Sequence, residues 1–129
     1  MAWKKKILLV IFAAFFLFTD AYGADWLKYG QNEHGIFYYD KESVETRGMG
    51  NVLRFQTKRE HADSENYTMR LFEFDCLHRL YRILKCEVWE KGSAEPKYCG
   101  TFEYWGAIPP ETYTGDLYDK LCPKKRGLR

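Results

Sequence analysis

Few side chains in this 129-residue chain have the type and spacing that catalysis or metal binding needs. His34, His61 and His78 fall in three different predicted loops, without the closely spaced second ligand that zinc sites use. None of the serines after residue 23 lies in a G-x-S-x-G nucleophile elbow: Ser43, Ser64 and Ser93. The acidic clusters lack the glycine-punctuated spacing of an EF-hand: Asp40 with Glu42, and Glu60 with Asp63 and Glu65. We therefore expect no enzyme activity, no cofactor and no metal.

Cysteine is the residue type whose pattern does predict chemistry. The four cysteines are Cys76, Cys86, Cys99 and Cys122. Their intervals of 10, 13 and 23 residues are too long for the paired ligands of a four-cysteine zinc site. In a small exported chain, an even number of cysteines indicates two disulfides, with three possible connectivities.

The first 23 residues have the pattern of a secretory signal peptide. Lys4–Lys6 precede an apolar run from Ile7 to Phe18, and the small residues Ala21 and Gly23 mark a cleavage site. The run is shorter than the roughly 20 residues of a membrane helix, so we expect membrane contact only through this cleaved segment. No cysteine lies next to the cut, so we expect export to the periplasm or cell surface without a lipid anchor.

The charge distribution argues against a nucleic-acid partner. The chain has 20 basic and 18 acidic residues, and removing residues 1–23 leaves 17 of each. Four of the basic residues lie in the last six positions, so residues 24–123 carry 13 basic against 17 acidic side chains. Nucleic-acid binding needs a basic face, which this body does not offer. We expect a signal peptide at 1–23, one domain at 24–123 and a basic tail at 124–129.

Runs of aromatic and β-branched residues between polar or glycine-containing stretches predict six strands. They are Trp26–Tyr29, Ile36–Tyr39, Asn51–Lys58, Tyr67–Cys76, Leu80–Glu90 and Lys97–Trp105. Their connections are short, which favours antiparallel neighbours, because parallel pairing needs a crossover of a dozen or more residues.

After Pro109-Pro110 the hydrophobic period becomes helical. Leu117, Tyr118, Leu121 and Cys122 share one helix face, Thr112 or Thr114 can be the N-cap, and Pro123 ends the helix. The sequence thus predicts an α+β fold, in which an antiparallel six-stranded meander carries a C-terminal helix on one face, tethered by a disulfide.

Hairpin registers predict which cysteines meet. A two-residue loop at Gly92-Ser93 sets Cys86 opposite Cys99, within reach of a disulfide. A tight turn at His78-Arg79 sets Cys76 opposite Tyr81 and gathers one apolar face: Phe72, Phe74, Cys76, Tyr81, Ile83, Phe102 and Tyr104. A helix docked there joins Cys76 to Cys122 and leaves the Cys86–Cys99 bridge on the opposite face of the sheet.

An ordered series of short motifs runs through this predicted domain. They are Trp26, Phe37-Tyr38-Tyr39-Asp40 with Ser43, Leu71-Phe72-Glu73-Phe74-Asp75-Cys76, Arg82-Ile83-Leu84, Trp105 with Ile108-Pro109-Pro110, and Leu117-Tyr118-Asp119-Lys120-Leu121-Cys122. From Trp26 to Cys122 their order resembles the surface-adhesin protein E-like domain of bacterial envelope proteins. The resemblance implies an antiparallel sheet with a disulfide-tethered helix, and a namesake that binds host matrix and serum proteins. Two departures are the missing anchoring cysteine and the additional pair Cys86 and Cys99.

The predicted function is that of an exported, non-catalytic envelope binding protein with a macromolecular partner from the host or the envelope. The alternative is a small periplasmic inhibitor or envelope-assembly factor, and a homodimer is a further possible association. Tyr38 and Trp89 are the candidate partner-binding residues, because tyrosine and tryptophan anchor interfaces at low entropic cost. Trp89 shares the strand parity of Tyr81 and Ile83, which favours core packing for it over interface contact.

Overall fold

The computed structural model describes residues 24–123, so the predicted signal peptide and basic tail lie outside the described residues. Its strands are Trp26–Asn32 (β1), Gly35–Asp40 (β2), Glu45–Arg47 (β3), Val52–His61 (β4), Tyr67–Asp75 (β5), Leu80–Trp89 (β6), Lys97–Tyr98 (β7) and Phe102–Ala107 (β8). A single 3-10 turn spans Lys41–Ser43, and the helix, α1, spans Tyr113–Leu121. The predicted antiparallel sheet with a C-terminal helix and two disulfides is confirmed.

The sheet is a meander with the order β1-β2-β4-β5-β6-β7, and all its pairs are antiparallel. The short strand β3, absent from the sequence prediction, pairs with β4 next to β2. The stretch predicted as one strand over Lys97–Trp105 is two strands, because the chain leaves the ladder at residues 99–101 before β8 pairs with the other half of β6.

The core lies between α1 and one face of the sheet. It combines side chains from three strands and the segment after β8 with one stripe of the helix: Tyr39, Leu53, Phe55, Phe72, Phe74, Ile108, Leu117 and Cys122. The Thr112 hydroxyl accepts a hydrogen bond from Gly115 N–H at 3.0 Å, so Thr112 rather than Thr114 is the N-cap. No helix within residues 24–123 has the length and apolar character needed to cross a membrane.

Two disulfides hold the helix and one hairpin. Cys76 joins Cys122 with 5.4 Å between the Cα atoms, and Cys86 joins Cys99 with 5.0 Å. These are the two pairs that the hairpin registers predict. The Tyr118 hydroxyl also donates to the Cys76 carbonyl at 2.6 Å, which adds a polar tether beside the first bridge.

A β-bulge at Leu84 changes which residues of β6 face the core. Ile83 pairs with Phe72, but Lys85 pairs with Leu71, so Leu84 is an extra residue in the ladder. Because side chains alternate along a strand, the inserted residue turns Cys86 toward the helix side of the sheet. The predicted placement of the two disulfides on opposite faces is therefore wrong.

Two further register predictions are wrong for local reasons. The β5–β6 connection uses four residues, 76–79, since Asp75 pairs with Leu80 and its carboxylate accepts the Leu77 and His78 N–H groups. The two added residues shift the pairing of β5 with β6 by two positions. Because this number is even, the same residues of β5 still face the helix. Tyr104, expected in the apolar face, is 84% exposed, because a register shift sets Gly106 opposite Tyr81.

Candidate functional site

The face of the sheet opposite α1, here called the outer face, carries ordered rows of aromatic and charged side chains. One row crosses six strands through Lys28, Tyr38, Lys58, Met69, Glu87 and Tyr98. The neighbouring row runs through Gln31, Ile36, Glu60, Tyr67 and Trp89. Tyr38 and Trp89 therefore lie on the same face in adjacent rows, three strand spacings or about 14 Å apart across the sheet.

Tyr38 belongs to a cation–aromatic cluster at the β1–β2–β4 side of the outer face. The Lys58 ammonium lies 5.4 Å from the Tyr38 ring centre and 4.7 Å from that of Trp26. Hydrogen bonding with the nearby Glu60 carboxylate raises the pKa of the Tyr38 phenol. Cation–π contacts at such distances are weakly attractive at exposed sites, so they orient the two rings without burying them.

Trp89 lies at the other side of the outer face and stacks on Tyr67. Their ring centres are 6.3 Å apart and their planes are nearly parallel. The indole N–H donates to Glu87 at 3.2 Å, and Lys85 donates to the same carboxylate at 2.8 Å. The hydrogen bond from Lys85 is the main reason that the pKa of Glu87 lies below its ordinary value. Core packing, the favoured prediction for Trp89, is wrong, because the bulge turns this residue away from the helix.

A buried charge cluster lies at one end of the outer face and connects three strands. Glu73 is 2% exposed, and each of its carboxylate oxygens accepts from a different arginine. Arg54 donates to one oxygen at 2.9 Å, and Arg82 donates to the other at 2.6 and 2.7 Å. The Arg82 guanidinium also stacks 4.3 Å from the Trp105 ring centre. The cluster crosses β4, β5 and β6 and so fixes their relative positions.

Two of the three histidines, His34 and His61, share a cleft, and His78 lies apart from them. Within residues 24–123, no group of three or more histidine, cysteine, aspartate or glutamate side chains is placed to hold a metal ion. His34 and His61, predicted in separate loops, do share one cleft of about 260 Å³ with Glu33 and Asp63. His61 hydrogen-bonds Thr68 at 2.7 Å, and His78 hydrogen-bonds Asp75 at 3.0 Å.

The serines serve the backbone. The Ser43 hydroxyl donates to the Asp40 carbonyl and accepts from Gln56 N–H, both at 2.8 Å. Ser93 donates to the Glu95 carbonyl, and Ser64 accepts from Asn66 N–H. Each hydroxyl is therefore part of a turn or strand-end hydrogen bond.

The sequence model of surface-adhesin protein E matches residues 26–123. The chain belongs to the surface-adhesin protein E family. The match covers every strand and the helix, so the outer face and both disulfides lie within the family domain. Family membership indicates a surface-adhesin-like protein that is exported or located at the cell surface. No curated protein and no solved structure matches the chain at a significant level.

Several residues of the outer face were not singled out from the sequence. Strand alternation assigns Lys58 to this face, but its contacts with Trp26 and Tyr38 require the β1–β2–β4 register. The Tyr67–Trp89 stack depends on the bulge at Leu84, for which the sequence carries no recognisable signal.

Proposed function

We propose that this protein is a non-catalytic, adhesin-like binding protein that engages a macromolecular partner through the outer face of its sheet. The observation that carries the proposal is the pair of aromatic clusters, around Tyr38 and around Trp89, on the face opposite the helix. Tyrosine, tryptophan and arginine are enriched among the residues that dominate binding energy at protein interfaces.

The size of the outer face supports a protein-sized partner. Six strands at about 4.8 Å spacing span about 24 Å, and a ten-residue strand is about 30 Å long. The product is on the order of the 800 Å² that each partner buries in a standard interface. The depression at Met69, Lys85 and Glu87 holds only about 60 Å³, whereas a cleft of about 500 Å³, lined in part by Ile36, Glu60 and Tyr67, lies at the end of the second row. Its volume is within the 300–1,000 Å³ of a small-molecule site, so the case for a protein-sized partner rests on the extent of the outer face.

The test is surface plasmon resonance with the chain from residue 24 onward against immobilised matrix extract, serum proteins and envelope extract. Tyr38→Ala and Trp89→Ala should each weaken the affinity for the same partner at least tenfold, about 1.4 kcal/mol, while the thermal midpoint stays within a few degrees. Tyr104→Ala is the matched control, because Tyr104 is exposed and belongs to neither cluster.

Unchanged affinity in both outer-face variants would refute the proposal. A fall in affinity in Tyr104→Ala equal to theirs would also refute it. Binding confined to envelope extract would favour the alternative function, an inhibitor or assembly factor inside the envelope.

A further inference from the structure

A cavity of about 250 Å³ lies on the helix side of the sheet, where the chain enters α1. Its walls come from β1, β2, β4 and β5 and from the start of the helix: Tyr29, Phe37, Thr57, Arg59, Arg70, Phe72, Thr112, Tyr113 and Thr114. Lys58 also borders the cavity, but its ammonium lies on the outer face, near Trp26 and Tyr38. No aspartate or glutamate lines it. The cavity is therefore basic and partly aromatic, on the helix side of a domain body whose net charge is negative.

Two arginines meet in this cavity without an acidic partner. Thr57 pairs with Arg70 and Arg59 with Thr68, so the two arginines are diagonal neighbours on one face, about 7–8 Å apart at the backbone. Within residues 24–123 the ion pairs of arginine involve Arg47, Arg54, Arg79 and Arg82, and neither Arg59 nor Arg70. Burial, followed by the positive charge of Arg59, lowers the pKa of Arg70.

Arg59 also carries an unsatisfied donor. Of the side-chain nitrogens and oxygens shielded from solvent within residues 24–123, its Nε is the one without a hydrogen-bond partner. A buried donor left unpaired costs free energy, and most such groups in native proteins have a partner, ordered water or a bound ion. Arg59 also lines the neighbouring cleft of Glu33 and Asp63, but it forms no ion pair with either within residues 24–123. Two half-buried guanidinium groups without an ion pair, and one unpaired Nε–H donor, are the groups that an added acceptor would satisfy.

The other polar groups of the cavity suit an anion as well. Burial raises the pKa of Tyr29 to about 12, so its phenol stays protonated and can donate. The Thr112 hydroxyl is already used, since it accepts from Gly115 N–H and donates to the Pro109 carbonyl. The attraction for an anion therefore rests on the arginine pair rather than on the start of the helix.

We propose that this cavity binds an oxyanion, a phosphate, sulfate or carboxylate group, between Arg59 and Arg70. The guanidinium fork matches the geometry of such groups and binds them through paired, charge-assisted hydrogen bonds. The volume is roughly eight times the ~30 Å³ that a water molecule occupies in the liquid, so a larger molecule that carries the oxyanion also fits. The aromatic rings of Phe37 and Tyr113, 5.5 Å apart between centres, form a wall for its apolar part.

The test is an NMR titration of the chain from residue 24 onward with inorganic phosphate and with phenyl phosphate, at ionic strength held constant with sodium chloride. The arginine Nε–H resonances of Arg59 and Arg70 should shift and saturate together. Arg59→Gln and Arg70→Gln should each raise the dissociation constant at least tenfold. Arg47→Gln is the matched control, because Arg47 is half exposed, pairs with Glu45 and lies on β3, away from the cavity. Its dissociation constant should equal that of the unaltered chain.

Tighter binding of phenyl phosphate identifies an oxyanion carried on a larger molecule, and equal binding identifies the free ion; both outcomes support the site. Shifts that do not saturate, or that spare Arg59 and Arg70, would overturn it. An equal loss of affinity in Arg47→Gln would overturn it too, because it would indicate general attraction between charges. If a glutamine variant fails to fold, the resonances of the unaltered chain still decide the outcome.

Discussion

Removal of the Cys76–Cys122 disulfide measures how much the covalent tether of α1 contributes to stability. This bridge joins residues separated by 46 positions, whereas Cys86–Cys99 joins residues separated by 13. In the chain-entropy description the contribution grows as 1.5RT ln n, which gives about 4 kcal/mol for the first bridge and about 3 for the second. We expect C76A/C122A to lower the free energy of unfolding by about 1 kcal/mol more than C86A/C99A does.

The helix should lose protection without leaving the sheet. A nine-residue helix does not hold alone in water, so its amides depend on tertiary contacts. Leu117 stays buried, and the Tyr118 hydroxyl and the Arg79–Asp119 ion pair, at 2.8 Å, still connect the helix to the β5–β6 turn. Hydrogen exchange of the α1 amides should therefore accelerate through local opening, while the central strands exchange at the rate set by global unfolding.

Both double variants are compared with the intact protein by urea unfolding, followed by tryptophan fluorescence and circular dichroism. Double replacement is required because a single change leaves a free thiol that can exchange with the other bridge. A larger loss of stability in C86A/C99A, or unchanged exchange of the α1 amides in C76A/C122A, would refute this account of how the helix is held.

Two further perturbations address charges on the outer face. Glu73→Gln removes the carboxylate that two arginines share, and it should lower the free energy of unfolding by about 3 kcal/mol. This value is at the lower end of the range for buried pairs, because Arg54 and Arg82 are about 30% exposed and can be hydrated again. Glu87→Gln, measured in the same urea titration, is the control, because it removes a carboxylate that pairs with the exposed Lys85. If Glu73→Gln lowers the free energy of unfolding by less than the ~1 kcal/mol expected of a surface pair, the Glu73 cluster does not fix the strands as described. Lys85→Met should return the pKa of Glu87 toward its ordinary 4.5, as followed by NMR titration. Because the folded-state pKa is lowered, the stabilisation from this pair is present above pH 4.5 and is lost as the pH falls through the lowered value. The destabilisation by Lys85→Met should therefore be present at pH 7 and decline as the pH falls below 4.5, and a loss independent of pH would exclude the pairing as its cause.

The parts of the fold that local patterns determine could be predicted from the sequence. The predicted two-residue loop at Gly92-Ser93 is wrong, because the β6–β7 connection spans residues 90–96, but its register still sets Cys86 opposite Cys99 as predicted. The helix also follows its cap and its apolar stripe, from Thr112 to Cys122. These features depend on residues close in sequence, whose conformational preferences act without the rest of the chain.

Features that depend on inserted residues could not be predicted. Alternation along β6 holds from Tyr81 to Ile83, and the extra residue Leu84 then reverses it, which places Trp89 on the outer face. The position of Tyr104 was predicted wrongly because β8 carries two extra residues between Phe102, opposite Ile83, and Gly106, opposite Tyr81. The oxyanion cavity did carry a signal, because Arg59 and Arg70 occupy inward positions in strands whose other inward residues include Phe55, Phe72 and Phe74. Strand alternation alone could therefore have identified the two inward-facing arginines from the sequence.

The bulge at Leu84 also has a consequence for how the family domain can diversify. Before the bulge, odd-numbered residues of β6 such as Tyr81 and Ile83 face the core, and substitutions there disturb it. After the bulge, odd-numbered residues lie on the outer face, and substitutions there change only that surface. A saturation mutagenesis library along β6 should therefore show tolerance that alternates with period two and reverses phase at position 84. Deletion of Leu84 would remove the extra residue while Ile83 stays opposite Phe72 and Lys85 opposite Leu71, so Cys86 and Glu87 should keep their faces, and the fold should accept a β6 that is one residue shorter at this position.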